Sequence, residues 1–164
     1  MYVKKGDTMF RLLVVSDTHG DRRALQAAID AQPEAALLVH LGDGAADLTA
    51  ISEFITVRTL QVSGNCDFSS PFPDDAEFRF GGQLFFAAHG HRYGVKHDLY
   101  RFSCAARSRG ARVALFGHTH QALTLYDDGL FLVNPGSLGR GGTYATVDVA
   151  SSGGIVANIV KLRY

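Results

Sequence analysis

The sequence is poor in cysteine and carries no excess of either charge. Its 164 residues include only Cys66 and Cys104, too few for a disulfide framework, which favours a reducing compartment. Lysine plus arginine total 16, as do aspartate plus glutamate, so the basic surplus typical of nucleic-acid-binding proteins is missing. No apolar run approaches the ~20 residues that span a bilayer, and no apolar segment follows Lys4 and Lys5 as a secretory signal requires. We therefore expect no membrane association and, by default, cytoplasmic residence.

The length and composition fit one globular domain. Hydrophobic residues make up 46% of the chain and charged residues 20%, an ordinary balance for a globular protein. A chain of this length buries roughly 70% of the surface that it exposes when unfolded. The first clean strand pattern begins at Met9, so we expect residues 1–8 to be a flexible N-terminal extension and residues 9–164 to form a single domain.

Strand and helix patterns alternate in the first half of the chain. Continuous apolar runs at residues 12–15 and 36–39 are typical of strands that are buried on both faces, and residues 57–62 are predicted to form a third strand. Between these runs, Asp21 caps one helical pattern, and a second begins at about Asp47. This order predicts right-handed crossovers and a largely parallel sheet, whose ligands gather at the carboxyl ends of the strands.

The second half of the chain predicts hairpins. Residues 78–86, 123–133 and 143–160 each contain two strand patterns joined by a turn. A helix capped by Asp98 precedes a further buried strand at residues 113–116. Edge strands of the late hairpins could pair between two copies of the chain, which leaves a homo-oligomer open.

A short polar motif follows each of five apolar runs. The motifs supply oxygen and imidazole ligands, a mixture that suits manganese, iron or zinc. The candidate ligands are too many for one tetrahedral ion, but about right for two ions that share a bridging carboxylate. Because two ions can activate a water and bind a phosphoryl group between them, the pattern predicts a binuclear metallohydrolase that acts on phosphate esters. In chain order the motifs are Asp17-Thr18-His19, Gly42-Asp43, Gly64-Asn65-Cys66-Asp67, His89-Gly90-His91 and Gly117-His118-Thr119-His120.

Two of the motifs place candidate ligands two residues apart. If the chain stays extended after each strand, Asp17 and His19 project to the same side, as do His118 and His120. One such pair could bind one ion or contact two. Either pair alone indicates no more than a polar turn, but both pairs at strand ends, with Asp43 between them in the chain, favour a metal site.

Asp43 and Asn65 each have a structural alternative. Asp43 could cap the helix that follows it, but Asp47 fills that position better and leaves Asp43 free to bridge two ions. Asn65 could be a turn residue after Gly64. As a ligand, its neutral amide oxygen would limit the negative charge of the site and leave the ions electrophilic.

The remaining histidines differ in their surroundings. Only one of His89 and His91 need bind metal. His40 lies inside an apolar strand, so we expect a structural role, and His97 precedes a helix, where we expect a solvated turn residue.

Residues 134–137 (Asn-Pro-Gly-Ser) follow a buried strand. One interpretation is a tight hairpin turn. The other is a rim of the site that offers backbone N–H groups and Arg140 to a phosphate. The sequence leaves both interpretations open.

The ordered series of motifs resembles the calcineurin-like metallophosphoesterases. The short length, the Gly-Asn-Cys-Asp form and the Asn-Pro-Gly-Ser turn are most similar to the YfcE-like bacterial and archaeal phosphodiesterases, from about Met9 to the end. The resemblance implies an α/β fold, a four-layer α/β/β/α sandwich with two mixed β-sheets. It also implies two divalent ions, for which we expect manganese first and nickel, iron or zinc as alternatives.

The resemblance further implies which side chains bind each ion. In the family the first histidine of the His-Gly-His motif binds metal, which selects His89 over His91. Asp43 would bridge the two ions. The first ion would be held by Asp17, His19 and His120, and the second by Asn65, His89 and His118.

This chain departs from the wider superfamily at two positions. Many members carry a histidine at the position of Cys66, where it binds phosphate or protonates the leaving group. We expect a buried thiol there, a poor donor, so His91 becomes the nearest candidate acid in the sequence. Gly139 precedes Arg140 where relatives often have Pro-Arg, which bears on Arg140 as a phosphate contact.

Together these observations predict a phosphodiesterase in which a metal-bridging hydroxide attacks phosphorus. Asp43, Asn65 and His91 form the expected catalytic set, with Asn65, Cys66 and Arg140 as substrate contacts. Small phosphoesters are expected rather than long nucleic acids, because the chain has no basic excess. The alternatives are a non-catalytic metal-binding scaffold or protein-interaction module on the same fold, as in a retromer scaffold subunit, and a closed structural metal site.

Overall fold

Two five-stranded sheets form the centre of the molecule in the computed structural model, which describes residues 3–163. The strands are β1 (Met9–Val15), β2 (Ala35–His40), β3 (Arg58–Gln61), β4 (Asp75–Phe80), β5 (Gln83–Ala88), β6 (Val113–Leu115), β7 (Leu123–Asp127), β8 (Leu130–Asn134), β9 (Thr143–Ala150) and β10 (Ile155–Lys161). The helices are α1 (Arg22–Asp30), α2 (Ala45–Ile51), α3 (Tyr100–Ser108) and α4 (Leu138–Gly141), with 3-10 turns at Ser52–Phe54 and His91–Tyr93.

Both sheets mix parallel and antiparallel pairs. The first has the order β10-β9-β1-β2-β3, and its β1, β2 and β3 are parallel, as the alternating strand and helix patterns predicted. The second has the order β4-β5-β6-β8-β7, in which β5, β6 and β8 are parallel. The three predicted hairpins are confirmed as the antiparallel pairs β4–β5, β7–β8 and β9–β10.

Alternating side chains on the strands build the layers. Leu12 and Val14 on β1 point into an apolar cluster between the two sheets, and Leu13 and Val15 point to the other face, against α1 and α2. This is the period-two pattern of a strand buried on both faces. A third cluster joins α3 to the outer face of the second sheet through Phe102. The four-layer α/β/β/α sandwich is thereby confirmed.

Helix α2 begins two residues earlier than the sequence pattern predicted. Its first residue is Ala45, and Asp47 is a buried member of the first turn rather than the cap. Gly44 (φ 155°) turns the chain directly from Asp43 into the helix. The carboxylate of Asp67 comes from a different loop and accepts the N–H groups of Gly44 and Ala45. Local residue spacing cannot predict a helix cap that comes from a distant segment of the chain.

Two other helix starts test the predicted caps. Asp21 caps α1 as predicted, because its Oδ1 accepts the N–H of Ala24 at 2.9 Å. At α3 the prediction is wrong by one residue, since the N-cap is Leu99. Asp98 instead accepts the N–H of Tyr100 at 2.9 Å.

The segment before β1 contacts the turn between β9 and β10. Thr8 N–H donates to Ser151 Oγ at 3.0 Å, and Ser152 Oγ donates to Asp7 Oδ2 at 2.7 Å. Residues 1 and 2 of the expected extension lie outside the described residues, and its flexibility stays a prediction. Within residues 3–163, no helix combines the length and the apolar character that crossing a bilayer requires.

Candidate metal centre

The carboxyl ends of five strands meet at one edge of the packed sheets. β1, β2 and β3 end there in the first sheet, and β5 and β6 in the second, and each is followed by one of the polar motifs. Side chains far apart in the sequence thereby come into contact: His120 Nε2 lies 3.1 Å from Asp17 Oδ1, although 103 positions separate them. The candidate ligands form two clusters.

The first cluster consists of Asp17, His19 and His120. Asp17 Oδ1 lies 3.1 Å from His120 Nε2 and 3.5 Å from His19 Nε2. The two imidazole nitrogens are 3.3 Å from each other. Two ring nitrogens and a carboxylate oxygen that face one another this closely form a donor set suited to a borderline divalent ion.

The second cluster consists of Asp43, His89 and His118. His89 Nε2 lies 3.3 Å from Asp43 Oδ2 and 3.2 Å from His118 Nδ1. Within each cluster the ligand atoms all lie within 4.8 Å of one another. Asp43 Oδ2 is also 3.9 Å from His19 Nε2, and Asp17 Oδ1 is 3.9 Å from His89 Nε2. Both carboxylates therefore lie between the clusters.

The ligand loops are not extended, and this corrects the sequence-based reasoning. Five candidate ligands have a positive φ of 45–68°. Aspartate and histidine adopt this left-handed region more readily than most residues, but each such residue costs of order 1 kcal/mol or more. Paired ligands face one cluster because the chain turns sharply at each of them. They are Asp17, His19, Asp43, His118 and His120.

Two motif glycines are required by the close approach of the ligands. A Cβ on Gly64 would lie 2.1 Å from Asp43 Oδ1, and a Cβ on Gly117 would lie 2.1 Å from Ser16 Oγ and 2.9 Å from Asp17 Oδ2. Any larger residue at either position would displace a carboxylate of the site.

The tautomer of His89 follows from its neighbour. Nδ1 lies 2.8 Å from Leu41 O, a carbonyl that can only accept, so Nδ1 carries the proton. In the neutral ring Nε2 carries the lone pair that a metal ion would use, and in the protonated ring Nε2 donates to Asp43 Oδ2 instead. A ring held in this way is typical of metal-binding histidines.

Charge in the second cluster attracts a cation. Burial lowers the pKa of His89, but hydrogen bonding to Asp43 and the charge of Asp17 outweigh it and raise that pKa above its usual value. Burial also opposes ionisation of Asp43, yet His89 and the N–H of Cys66 hold the pKa of that carboxyl far below its usual range. Burial, with His89 adding to the effect, lowers the pKa of His118 to about 4. At neutral pH Asp43 and His118 therefore have the deprotonated forms that metal binding needs.

Asp67 holds the Asp43 loop, a role that sequence reasoning missed. Its Oδ2 accepts the N–H groups of Asp43 at 2.7 Å and Gly64 at 2.8 Å. Its Oδ1 accepts those of Gly44 at 2.9 Å and Ala45 at 3.0 Å. One carboxylate thus positions both loops that approach the second cluster. The feature of the sequence that could have indicated this role is the position of Asp67 as the last residue of the Gly-Asn-Cys-Asp motif.

A buried chain of hydrogen bonds supports the first cluster. Gly42 N–H donates to His40 Nδ1 at 3.1 Å, so His40 Nε2 carries the proton and lies 3.2 Å from Thr18 Oγ1. Thr18 Oγ1 donates in turn to Asp47 Oδ2 at 2.6 Å, and Asp47 also accepts the N–H of Gly20. The structural role predicted for His40 is confirmed, and burial lowers its pKa to about 4. Thr18 and Asp47 were not singled out by the sequence for this contact.

Asn65, Cys66 and His91 lie at the rim of the centre. Asn65 is exposed, and its Nδ2 lies 3.5 Å from Cys66 Sγ. The expectation of a buried thiol is wrong, because Cys66 is exposed; desolvation and the nearby Asp43 raise its pKa. Its N–H donates to Asp43 Oδ1 at 2.8 Å. The ring of His91 is 5.4 Å from that of His89, and its buried Nδ1 has no hydrogen-bond partner within residues 3–163. His97, by contrast, is exposed, and its N–H donates to Gly94 O at 2.9 Å.

The turn at residues 134–137 holds the ligand loops together. Asn134 Nδ2 donates to Gly117 O at 3.1 Å and to Thr119 Oγ1 at 2.9 Å, within the loop of His118 and His120. Ser137 Oγ donates to Asp17 O at 2.9 Å. The turn therefore has a positioning role that neither earlier interpretation named.

Gly139 and Arg140 follow this turn. Gly139 N–H donates to Asp17 O at 3.1 Å, and a Cβ there would lie 2.1 Å from Thr18 O. A proline would remove the donor and collide with Thr18, so this loop requires glycine. Arg140 is exposed, and its side chain makes no ion pair or hydrogen bond with any residue from 3 to 163.

Comparison with known proteins identifies similar chains. The model of the calcineurin-like phosphoesterase superfamily domain matches residues 10–152. The probable metallophosphoesterase YsnB of Bacillus subtilis (strain 168) is 33% identical over 130 residues, which cover 77% of this chain and 74% of YsnB.

Two solved structures show the same fold at low identity. Vacuolar protein sorting 29 of Cryptosporidium parvum has a TM-score of 0.77 and 17% identity, over 96% of this chain and 93% of that one. Yfce, a phosphoesterase from E. coli, has a TM-score of 0.63 and 23% identity, over 94% of this chain and 100% of Yfce. At these identities the likeness concerns the fold alone.

Proposed function

This chain belongs to the calcineurin-like phosphoesterase superfamily, and on that premise we propose that it is a phosphodiesterase dependent on two divalent ions. Family membership supports metal-dependent hydrolysis of phosphoesters. The observation that carries the finer proposal is the pair of ligand clusters with two carboxylates between them. One ion would need only three or four of these ligands.

The proposed ligand sets follow the two clusters. Asp17, His19 and His120 would bind one ion, and His89 and His118, together with Asp43, would bind the other. Asn65 would complete the second set, a role that rests on the family resemblance. Asp43 would be shared by the two ions, which its distances to His19 and His89 support. Manganese is the first candidate, with nickel, iron or zinc as alternatives, since carboxylate, amide and imidazole ligands suit all of them.

When bound, two such ions would lower the pKa of a water enough for it to act as a nucleophile at neutral pH, and they would neutralise charge on the phosphoryl oxygens. The residues of the chain hold and orient the reactants. Asn65, Cys66 and Arg140, which are all exposed, are the proposed substrate contacts. The hydrogen bond from the N–H of Cys66 to Asp43 Oδ1 supports a position for Cys66 beside the second cluster. Cys66 is a weak proton donor because its pKa is raised.

His91 is the proposed acid for the leaving group. Burial lowers its pKa, so the free ring is mostly neutral at pH 7. A bound phosphate would favour its protonated form, because an anion stabilises a nearby cation. Since His91 is mostly unprotonated before substrate binds, esters with good leaving groups, which need less help from an acid, are the expected substrates. The balanced net charge favours small phosphoesters over long nucleic acids.

The test combines metal analysis with a substrate panel. Purified protein is loaded with each candidate ion and assayed on bis(p-nitrophenyl) phosphate and on p-nitrophenyl phosphate. Asp43→Ala should lose both bound ions and turnover on both esters, while Asp30→Ala, which removes an exposed carboxylate on α1, should behave like the wild type. Wild-type-like turnover in Asp43→Ala would rule the mechanism out.

A second candidate function is a scaffold. The fold likeness to vacuolar protein sorting 29 favours it, since that protein's name indicates a role in sorting. Stoichiometric metal binding without turnover on any ester of the panel would support the scaffold over the enzyme.

A further inference from the structure

An apolar groove runs from the metal centre along the outer face of α2. Its volume is about 590 Å³. One wall is the exposed face of α2, and the other is the loop that follows the Gly-Asn-Cys-Asp motif. The side chains that matter for its chemistry are Ala46, Thr49, Ala50, Cys66, Phe68 and Pro71.

Cys66 connects this groove to the second cluster. Its N–H donates to Asp43 Oδ1 at 2.8 Å, and its Sγ lies within 4.8 Å of ligand atoms of His19 and Asp43. The same residue lines the groove. Cys66 therefore borders both the metal centre and the groove, which places the groove next to the site of a bound phosphoester.

The walls of the groove consist mainly of small or apolar side chains and carry no free charge. Ala46, Thr49 and Ala50 occupy the solvent-facing side of α2, where long charged side chains are typical of a surface helix. Across from them the side chain of Phe68 is 88% exposed. Among the described lining residues Asp67 is the one carboxylate, and both of its oxygens accept backbone N–H groups.

The loop that carries Phe68 is held in place from behind. Ser63 Oγ lies 2.7 Å from Ser70 Oγ and 2.8 Å from Phe72 O, and Ser63 N–H donates to Pro73 O at 2.8 Å. Ser69 turns the chain in the left-handed region with φ 56°. The backbone conformation at Phe68 is thus fixed by contacts within the protein and does not depend on a ligand.

We propose that this groove binds an aromatic ring, such as a nucleobase or an aryl group, that the phosphoester carries, with the ring stacked on Phe68. The inference rests on the proposed phosphoesterase function. A planar ring fits because the alanine wall leaves room for one flat group against an exposed phenyl face, and stacking of this kind is favourable and tolerant of ring identity. A charged substituent would find no free counter-charge there, although Thr49, Ser69 and Ser70 also line the groove.

The test compares phenylphosphonate with methylphosphonate, whose P–C bonds are not hydrolysed, by titration calorimetry on the manganese-loaded protein. Phenylphosphonate should bind the wild type roughly fivefold or more tightly than methylphosphonate, which is too small to reach Phe68. Phe68→Ala should bring the ratio close to one, and Ala46→Leu should do the same by filling the groove. Phe54→Ala removes an exposed ring (75% exposed) elsewhere on the surface and should leave the ratio unchanged.

Equal affinity of the wild type for the two compounds, or an unchanged ratio in both groove variants, would overturn the proposal. Its failure is distinguishable from failure of the proposed function. A wild type that hydrolyses nitrophenyl esters but shows no phenyl preference loses the groove alone. A wild type that prefers phenylphosphonate but turns over no ester would support the groove and contradict the proposed enzyme.

Discussion

The two ligand clusters use the same side-chain types but differ in their exposure to water. In the first, the side chains of His19 and His120 are 21% and 31% exposed. The third ligand of that cluster, Asp17, is buried. In the second, His89 is fully buried, Asp43 is 3% exposed and His118 is half-buried, so the difference lies between His89 and the two histidines of the first cluster. Attraction between a cation and its ligands is weaker where water screens it. The second cluster should therefore bind its ion more tightly, and the first should exchange its ion more readily.

The supports of the clusters differ in the same sense. His89 and the Asp43 loop are fixed by Leu41 O and by the four bonds to Asp67. The first cluster depends on the Thr18 network and on the turn at residues 134–137. One centre would then combine a tightly bound ion with one that exchanges more readily.

The largest effect should come from removing one histidine of each cluster. His89→Ala should abolish turnover at any manganese concentration, because it opens the buried cluster and leaves Asp43 without its partner. His120→Ala should lose activity at low manganese and recover part of it at high manganese, because the exposed cluster keeps two ligands. Activity measured against metal concentration checks both. Equal behaviour of the two variants would contradict the difference between the clusters.

Asp67→Asn should have the next largest effect. An amide cannot accept four N–H groups, so the Asp43 loop loses its support, and loss of an outer partner typically costs roughly 10–100-fold in metal affinity or activity. The cost should fall on the more tightly bound ion. Competition with a metal-binding dye measures it, and Asp74→Asn, at an exposed carboxylate paired with Arg92, is the matched control.

The support of the first cluster should be sensitive to acid. The pKa of His40 is about 4 in the folded protein, against 6.5 for the free group, so the unfolded chain binds more protons between these values. His40 should therefore lower the free energy of unfolding of the metal-free protein by ~3 kcal/mol as the pH drops from about 6.5 to 4. His118, whose pKa is also lowered to about 4, should act in the same direction. Urea unfolding at several pH values checks this. His40→Gln should make the dependence shallower than in the wild type without removing it, whereas His97→Gln, at an exposed site, should leave it unchanged.

Thr18→Val should have the smallest effect. It keeps the side-chain shape but removes the hydroxyl between His40 and Asp47, which costs about 1–3 kcal/mol when buried groups lose their partner. Affinity for the more weakly bound ion should fall several-fold, and that for the tighter ion should not. Thr49→Val, on the surface of α2, is the control. An equal loss at both ions would show that the network does not distinguish the clusters.

Much of this arrangement could be predicted from the sequence, because strand ends follow from apolar runs. The hairpins, the parallel β1–β2–β3 unit and the placement of the motifs at strand ends needed local pattern alone. The four layers followed from the resemblance to a family, since no local pattern shows how two sheets pack.

The missed features depend on contacts between distant segments. The start of α2 is set by Asp67, 22 positions away from Ala45. The sharp turns at His19 and His120 result from the loops that hold them, and the propensity of histidine would not predict them. The exposure of Cys66 likewise depends on the groove beside it.

The most direct test of the central claim is electron paramagnetic resonance of the wild-type protein titrated with manganese. We expect two equivalents to bind, the first giving an isolated-ion signal and the second converting it to the signal of two coupled ions. A single equivalent at saturation, or two equivalents without coupling, would contradict a centre in which two ions share Asp43.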